Sequence, residues 1–229
     1  VKYDIVSKPR LLPSIIEERS QTLANISDPL KNEYCKKEGS WLTDDPNLQA
    51  LATSLAGNET RVLTIVKKFV QWIANNIYYQ SAEYPRYPNE TYSERTGDCD
   101  DQAILLITLC RIKGIPAYLQ VGAIYDFFRD SNDTYWEGHV TSVLKRISWH
   151  GWAIVYIPPW GWLPVDLTYV PRDPYLTDPL NAISGAAVTG QDVIQYMNFT
   201  HTDYVGNSLR LKDFIENNNL YVYMEDEMK

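Results

Sequence analysis

Residues 99–113 form the segment that most constrains the fold, because apolar side chains cover almost the whole circumference of the helix they would make. A helix that is apolar on every side must be enclosed by other elements. Gly114 accepts a left-handed conformation and Pro116 cannot continue a helix, so the segment ends there. We therefore predict a central, buried helix whose apolar members are Ala103, Ile104, Leu105, Leu106, Ile107, Leu109, Cys110 and Ile112.

The rest of the apolar pattern predicts an α+β fold. Apolar residues at helical spacing predict an amphipathic helix over 62–77. After residue 116 the period changes to two, which predicts strands over 118–124, 140–147, 150–157 and 162–167. A PPWG turn at 158–161 joins the last two into a hairpin, so we expect the sheet to be at least partly antiparallel. The proline-rich, aromatic segment 78–92 is expected to be irregular, and 209–216 to form a short helix.

The length of the chain fits one domain with decorated ends. Its 229 residues are enough to enclose a sizeable core, and no internal repeat divides them. We predict a single domain made of a helical N-terminal extension over 1–58, a core over 59–170 and a C-terminal extension over 171–229.

Charge and motif content exclude several classes of function. A net charge of -8 argues against binding to nucleic acid or to an anionic membrane, since both need clustered Lys and Arg. Purely apolar stretches such as 103–107 are far shorter than the roughly 20 residues that cross a bilayer. The chain has no phosphate loop, dinucleotide fingerprint or EF-hand pattern, so no cofactor is expected. A metal site built from Cys99, His150 and a carboxylate is an alternative that lacks the paired ligand spacing of known sites, and we predict none.

The cysteines and the glycosylation sequons bear on the compartment. Three cysteines without a CxxC pair leave at least one free thiol, and we expect Cys110 to be core and Cys35 to be incidental. The chain starts at Val1, which suggests that an upstream segment has been removed. Composition alone predicts roughly two sequons, whereas five occur, at Asn25, Asn58, Asn89, Asn132 and Asn198. We expect an extracellular or cell-surface protein, with a cytoplasmic protein rich in Asn loops as the alternative.

Cys99 stands where a helix would favour an anionic thiolate. The free N–H groups and the macrodipole at a helix start stabilise negative charge, and the N–H of Cys99 itself is a candidate donor to an oxyanion. We expect Gly97 to allow a sharp turn before it. Asp98, Asp100 and Asp101 oppose thiolate formation as neighbouring negative charges, so a cationic imidazole must compensate.

His150 and Asp166 lie on the two strands of the predicted hairpin. A register that places Trp152 opposite Asp166 puts His150 and Asp166 on one face as diagonal neighbours, which suits a carboxylate that orients an imidazole. A shift of one residue would put them on opposite faces. His139 is a second candidate base, although it lacks the Trp strand that follows His150.

Four motifs in this order resemble the transglutaminase-like superfamily, whose core is papain-like. They are TGDCDDQA at 96–103, RIKGIPA at 111–117, HGWA at 150–153 and GWLPVDLT at 161–168. The resemblance covers about 60–170 and implies a central nucleophile helix packed on an antiparallel sheet. It also implies that Cys99 is the nucleophile, His150 the general base and acid, and Asp166 the residue that orients His150. The family commonly has Arg where this chain has Tyr118, and His-Ala-Trp where it has His-Gly-Trp.

The resemblance implies acyl transfer through a thioester, without a cofactor. We favour hydrolysis of a peptide, isopeptide or other amide bond, with a peptide or protein as the substrate. Cross-linking of the protein-glutamine gamma-glutamyltransferase type and a non-catalytic binding or scaffold domain are the alternatives. Tyr79 and Gln80 are candidate second donors to the oxyanion, because their loop precedes the nucleophile. The candidate residues for a substrate cleft are Trp149, Trp152 and Trp160.

Overall fold

The computed structural model describes residues 12–189 and 192–229, so the first eleven residues of the predicted N-terminal extension lie outside it. The helices are α1 (Asp28–Tyr34), α2 (Pro46–Ala56), α3 (Val62–Asn76), α4 (Pro88–Glu94), α5 (Cys99–Ile112), α6 (Asn181–Ser184) and α7 (Tyr204–Asn217). The strands are β1 (Tyr78–Tyr79), β2 (Thr96–Gly97), β3 (Ala117–Tyr135), β4 (Val140–Ile157), β5 (Gly161–Val165), β6 (Val193–Phe199) and β7 (Val222–Glu227). The predicted α+β fold is confirmed.

Helix α5 is the buried centre that its apolar circumference predicts. Every residue from 101 to 111 is buried, including Cys110. The helix ends as expected: Gly114 has a φ of 71°, and the N–H of Ile115 donates to the carbonyl of Cys110 at 2.9 Å. Helices α2 and α3 pack around α5, and the buried Leu48 and Ala52 bring the second helix of the predicted extension into the same core.

The main sheet follows the order β5-β4-β3-β6, and each of these neighbouring pairs is antiparallel. Two predicted strands, 140–147 and 150–157, are fused in the single long strand β4. The predicted hairpin joins β4 to β5, with Ala153 opposite Val165. This register, continued by one residue, brings Trp152 opposite Asp166, which is the register of the two considered that puts His150 and Asp166 on one face.

The outer halves of β3 and β4 form a hairpin arm that extends beyond β5 and β6. The C-terminal strand β7 pairs in parallel with the outer half of β4. Inside β3 the register shifts between Tyr125 and Asp130, so the four residues 126–129 stand opposite Arg146 alone. Such a bulge bends a strand and redirects its side chains.

Both faces of the main sheet are covered. One face packs on α5, and the other carries a smaller cluster in which Trp152 and Ile154 meet Ala186 and Val188 from the C-terminal part of the chain. The segment 78–92, predicted to be irregular, contains β1 and most of α4, because its prolines permit short elements. The predicted helix 209–216 is present but begins earlier, where Asp203 caps α7 by accepting from the N–H of Gly206.

Within the described residues, no helix combines the length and the apolar character that a membrane crossing requires. The five sequon asparagines are all exposed. The predicted extracellular location stays a prediction.

The enclosure of α5 makes its apolar residues the main source of stability. The side chain of Leu106 is fully buried, and we expect Leu106→Ala to lower the free energy of unfolding by about 2–5 kcal/mol through lost transfer energy and the cavity it leaves. Urea unfolding followed by circular dichroism measures this loss. Leu211→Ala on α7 is the matched control, because Leu211 is 53% exposed and should change stability by less than about 0.5 kcal/mol. Equal losses from both variants would contradict a central position for α5.

Candidate active site

Cys99 occupies the first turn of α5, directly after the short strand β2. The carbonyl of Gly97 in β2 accepts from the N–H of Gln80 at 3.2 Å and from the side chain of Gln102 at 3.0 Å. Gly97 does not have the positive φ of a sharp turn, contrary to our expectation. It is required because a Cβ there would lie 2.8 Å from Cβ of Asp101. The glycine thus allows β2 to lie directly against the turn that carries Cys99.

His150 is held by Asp166. The Nε2 atom of His150 lies 2.8 Å from Oδ2 of Asp166, and both side chains are buried. The other oxygen of Asp166 accepts from the backbone N–H groups of Thr168 and Tyr169 at 3.1 and 3.0 Å. This carboxylate therefore has a fixed orientation, and the Nδ1 atom of His150 is left without a hydrogen bond among the described residues.

Aromatic packing fixes the plane of the His150 ring. Trp152, which is fully buried, lies with its ring centroid 5.6 Å away, and Tyr169 meets the imidazole edge-on at 6.0 Å. Across β3, Gly122 is the partner of His150, and a Cβ at that position would come within 2.6 Å of the Trp152 ring. Gly122 thus makes room for the indole that supports the histidine.

Helix α5 and strand β4 touch at Gly151. A Cβ on Gly151 would lie 3.0 Å from Cβ of Asp100 and 3.3 Å from its Cα. The N–H of Gly151 donates to the Cys99 thiol, and this hydrogen bond lowers the pKa of the thiol. The structure thereby accounts for His-Gly-Trp in place of His-Ala-Trp, since a methyl group would push the first turn of α5 away from β4. The described residues contain no direct hydrogen bond between Cys99 and His150.

The surroundings of Cys99 disfavour the thiolate in the resting protein. Burial raises the pKa of Cys99 above its usual range, and the negative charges of Asp100 and then Asp98 raise it further. Burial and these charges thus outweigh any stabilisation by the helix start, and the expected opposition holds for two of the three aspartates, Asp98 and Asp100. Asp101 instead accepts from the Arg86 backbone at 2.6 Å and pairs with its guanidinium at 3.3 Å.

Asp100 is a carboxyl group of this turn whose pKa is strongly raised. Burial and a hydrogen bond with Asp98 raise the pKa of Asp100 well above its usual value. The hydroxyl of Tyr204, from α7, donates to Oδ2 of Asp100 at 2.7 Å and moderates that rise. The C-terminal extension therefore contacts the turn that carries Cys99, which no sequence motif indicated.

A cation at this turn would have to bind the side-chain ligand atoms of Asp98, Cys99 and Asp100. Their ligand atoms lie within 4.8 Å of one another. His150, the imidazole of the metal alternative considered from the sequence, is not among them. Its Nε2 atom is already engaged by Asp166.

A cleft of about 180 Å³ opens above Cys99 and His150. Trp149 lies in its wall, fixed by a 3.0 Å hydrogen bond from its indole N–H to Asp226 of β7. The other wall residues are Tyr79, Ile124, Asp126, Arg129, Ser148, Thr168 and Tyr169.

Of the three tryptophans predicted to shape a cleft, only Trp149 lies there. Trp152 is in the core beneath His150, because its face of β4 is covered by the C-terminal segment. Trp160 sits at the far β4–β5 turn, where its indole N–H donates to the carbonyl of Ser14 at 3.2 Å. Sequence alone did not show which side of each strand would be covered.

The remaining candidates also separate. Tyr79 lines the cleft, and burial followed by the proximity of Cys99 raises the pKa of its hydroxyl. Gln80 does not line the cleft. Its backbone N–H donates to the carbonyl of Gly97 next to the β1–β2 pair. His139 lies on the hairpin arm, where its Nδ1 is 2.7 Å from the carbonyl of Leu220, so the alternative base is outside the cleft. Sequence reasoning missed Asp126 and Arg129, since a bulge within a strand leaves no periodic signal.

The close contact at Gly151 predicts the effect of one methyl group. We expect Gly151→Ala to cost about 1–3 kcal/mol of stability through overpacking against Asp100, and to slow alkylation of Cys99 as the turn shifts. Urea unfolding and mass spectrometry of the Cys99 peptide measure the two effects. The double variant that combines Gly151→Ala with Asp100→Gly lacks the Cβ of residue 100 that the new methyl group would meet. Its loss of stability should therefore be clearly smaller than the sum of the losses in the two single variants. If the two losses of stability add exactly, the cost of Gly151→Ala does not come from its contact with Asp100.

The raised pKa of Asp100 predicts a pH-dependent effect on the thiol. At low pH Asp100 is neutral, so wild type and Asp100→Asn should react alike with iodoacetamide at Cys99. As the pH rises through the elevated pKa, Asp100 ionises in the wild type and disfavours the thiolate. The rate ratio of variant to wild type should then increase. Asp213→Asn, on the exposed face of α7, makes the same change in net charge and should give a constant ratio; a constant ratio for both would contradict this electrostatic role.

Comparison with known proteins places this geometry in a family. A profile of the Transglutaminase-like superfamily matches residues 49–167, which is more than half of the chain. No curated protein matches the chain. A candidate cysteine protease of known structure from Cytophaga hutchinsonii aligns with a TM-score of 0.50 and 23% identity, over 84% of this chain and 65% of its own.

Two further structures show weaker similarity. The periplasmic domain of TgpA from Pseudomonas aeruginosa aligns at a TM-score of 0.43 and 20% identity, over 68% of this chain and 53% of that one. Red sea bream transglutaminase aligns at 0.44 and 12% identity, over 69% and 34%. The chain spans less than two thirds of the length of each of the three proteins. The profile match, which takes in both the nucleophile helix and the β4–β5 hairpin, shows that this chain belongs to the transglutaminase-like superfamily.

Proposed function

We propose that the protein transfers acyl groups through a Cys-His-Asp triad, and that it hydrolyses a peptide, isopeptide or other amide bond. One observation carries the proposal: Cys99 and His150 line the same cleft, and Asp166 holds Nε2 of His150 at 2.8 Å. This leaves Nδ1 as the ring nitrogen able to accept a proton from a thiol. Family membership supports the same assignment of roles.

In this mechanism the thiol passes its proton to His150 as the substrate arrives. The thiol is protonated at rest and therefore has a proton to donate. The Cys99 side chain turns from the Gly151 N–H toward His150 and passes this proton to Nδ1. The sulfur then attacks the carbonyl carbon of the substrate. The Asp166 carboxylate stabilises the imidazolium that forms, as an orienting carboxylate does in related triads.

Collapse of the tetrahedral intermediate releases the amine, which takes its proton from His150, and leaves a thioester on Cys99. The N–H of Cys99 donates a hydrogen bond to the oxyanion. As an amide of the first turn, it has no acceptor within its own helix. The hydroxyl of Tyr79, which also lines the cleft, is the second donor in this proposal. Water then hydrolyses the thioester, with His150 acting as the base. An amine in place of water would give cross-linking, which incorporation of a labelled primary amine into a peptide substrate distinguishes.

The proposal predicts how His150 governs the reactivity of Cys99. In the wild type, transfer of the proton to His150 should make iodoacetamide labelling of Cys99 reach a plateau near neutral pH. In His150→Ala the thiol keeps its elevated pKa, so labelling should be at least about tenfold slower at pH 7 and should rise with pH without a plateau. Mass spectrometry of the Cys99 peptide gives both rates.

Cys35 provides an internal control in the same experiment. Burial raises the pKa of Cys35 to about 11, so its labelling should be slow and equal in both proteins. A triad also predicts an intermediate rate for Asp166→Asn, because the histidine keeps its place but loses the partner that orients it. Identical pH profiles for Cys99 in wild type and His150→Ala would instead favour a non-catalytic binding domain.

A further inference from the structure

The bulge in β3 forms one rim of the cleft. Residues 126–129 stand opposite Arg146 alone, and this irregularity brings Asp126 and Arg129 into the wall that also contains Cys99 and His150. The two central residues of the bulge, Phe127 and Phe128, are exposed by 61% and 92%. The bulge thus turns two charged side chains toward the cleft and two aromatic ones away from the core.

Arg129 reaches the cleft without a partner. Among the described residues its guanidinium forms no hydrogen bond, and no carboxylate oxygen lies within the 4.0 Å of an ion pair. Two other arginines in this part of the molecule are paired: Arg86 with Asp101 and Glu94, and Arg146 with Glu227.

The carboxylates near Arg129 have partners of their own. Asp126 accepts from the N–H of Phe128 and Asp130 from the N–H of Arg146, both at 3.2 Å. Asp133 is hydrogen bonded to the hydroxyl of Tyr135. All three line a hollow beside Arg129, yet none of them closes on it. The planar donor fork of the guanidinium, which matches a carboxylate in geometry, therefore stays available.

The surrounding charge gives Arg129 a selective role. The chain carries a net charge of -8, and Asp98 and Asp100 lie beside the thiol. An acidic ligand is therefore repelled unless a local cation receives it. Arg129 is the arginine that lines this cleft, and its charge is close enough to Tyr79 to offset a small part of the rise in the pKa of that hydroxyl.

We propose that Arg129 is a specificity-determining residue that binds a carboxylate of the acyl donor next to the reacting carbonyl. The inference rests on the proposed function, since it assigns a substrate class to the same cleft: acyl donors that carry an acidic group near the bond that is broken. The Arg129 guanidinium donates to the carboxylate, while Cys99 attacks the neighbouring carbon.

Two small alkylating agents test this without knowledge of the substrate. In both, the thiolate of Cys99 forms a bond to carbon and iodide leaves, but iodoacetate carries a carboxylate beside the reacting carbon and iodoacetamide a neutral amide. Mass spectrometry of the Cys99 peptide gives the alkylation rate of each reagent. The iodoacetate rate divided by the iodoacetamide rate should fall roughly three- to tenfold in Arg129→Gln. The iodoacetamide rate should stay the same. Arg129→Lys keeps the charge and should retain a ratio above that of Arg129→Gln.

A charge-matched control separates local binding from net charge. Arg19 is exposed, forms no ion pair among the described residues and lies outside the cleft. Arg129→Glu should lower the ratio further than Arg129→Gln, whereas Arg19→Glu should leave the ratio at the wild-type value. Equal ratios in wild type and Arg129→Gln, or an equal fall for both reagents, would overturn the proposal. Failure of the proposed function would appear separately, as iodoacetamide labelling of Cys99 that does not depend on His150.

Discussion

The contact between the first turn of α5 and strand β4 is the constraint on which the candidate site depends. At Gly151 the two backbones approach so closely that a single Cβ would reach Asp100 at 3.0 Å. This approach places the Cys99 thiol against the N–H that follows His150 in the chain. The burial of α5 supplies the stability that holds the two elements in contact, because nearly all of its residues are enclosed. The same packing that stabilises the fold thus sets the distance between thiol and imidazole.

That close packing has an electrostatic cost. Asp98 and Asp100 share the buried turn with Cys99, and together with burial they keep the thiol neutral at rest. In the proposed mechanism the thiolate therefore forms only when a proton acceptor is in place, which links the reactivity of Cys99 to His150 and to a substrate that excludes water. Tyr204 from α7 and Ala82 from the loop after β1 donate hydrogen bonds to these two carboxylates. The turn is therefore stabilised from outside the helix that contains it.

Local sequence signals predicted the parts of the structure that local physics decides. The apolar circumference of α5, the Gly114 stop and the β4–β5 hairpin all follow from residues close together in the chain, whereas the register of that hairpin stayed open. The bulge at 126–129 and the pairing of β7 with β4 did not follow, because they depend on contacts between distant segments. For the same reason the pattern could not show that Trp152 is covered by residues near 186, or that Trp149 lies in the cleft. The sequence shows Gly151 as a departure from the family pattern, but the cause, the approach of Asp100, is visible only in three dimensions.

The segment that matches the family contains the candidate triad and most of the cleft wall, and residues outside it support that wall. Residues 49–167 match the family and contain Cys99, His150 and Asp166. Several residues that fix the walls lie beyond that match: Asp226 holds the indole of Trp149, Tyr196 packs against the same indole, and Tyr204 binds Asp100. The C-terminal segment thus supports a cleft whose charged wall residues, Asp126 and Arg129, lie within the matched region. In the proposed function the cleft wall selects the acyl donor, and the unpaired Arg129 is the wall residue whose charge most directly distinguishes one acyl donor from another.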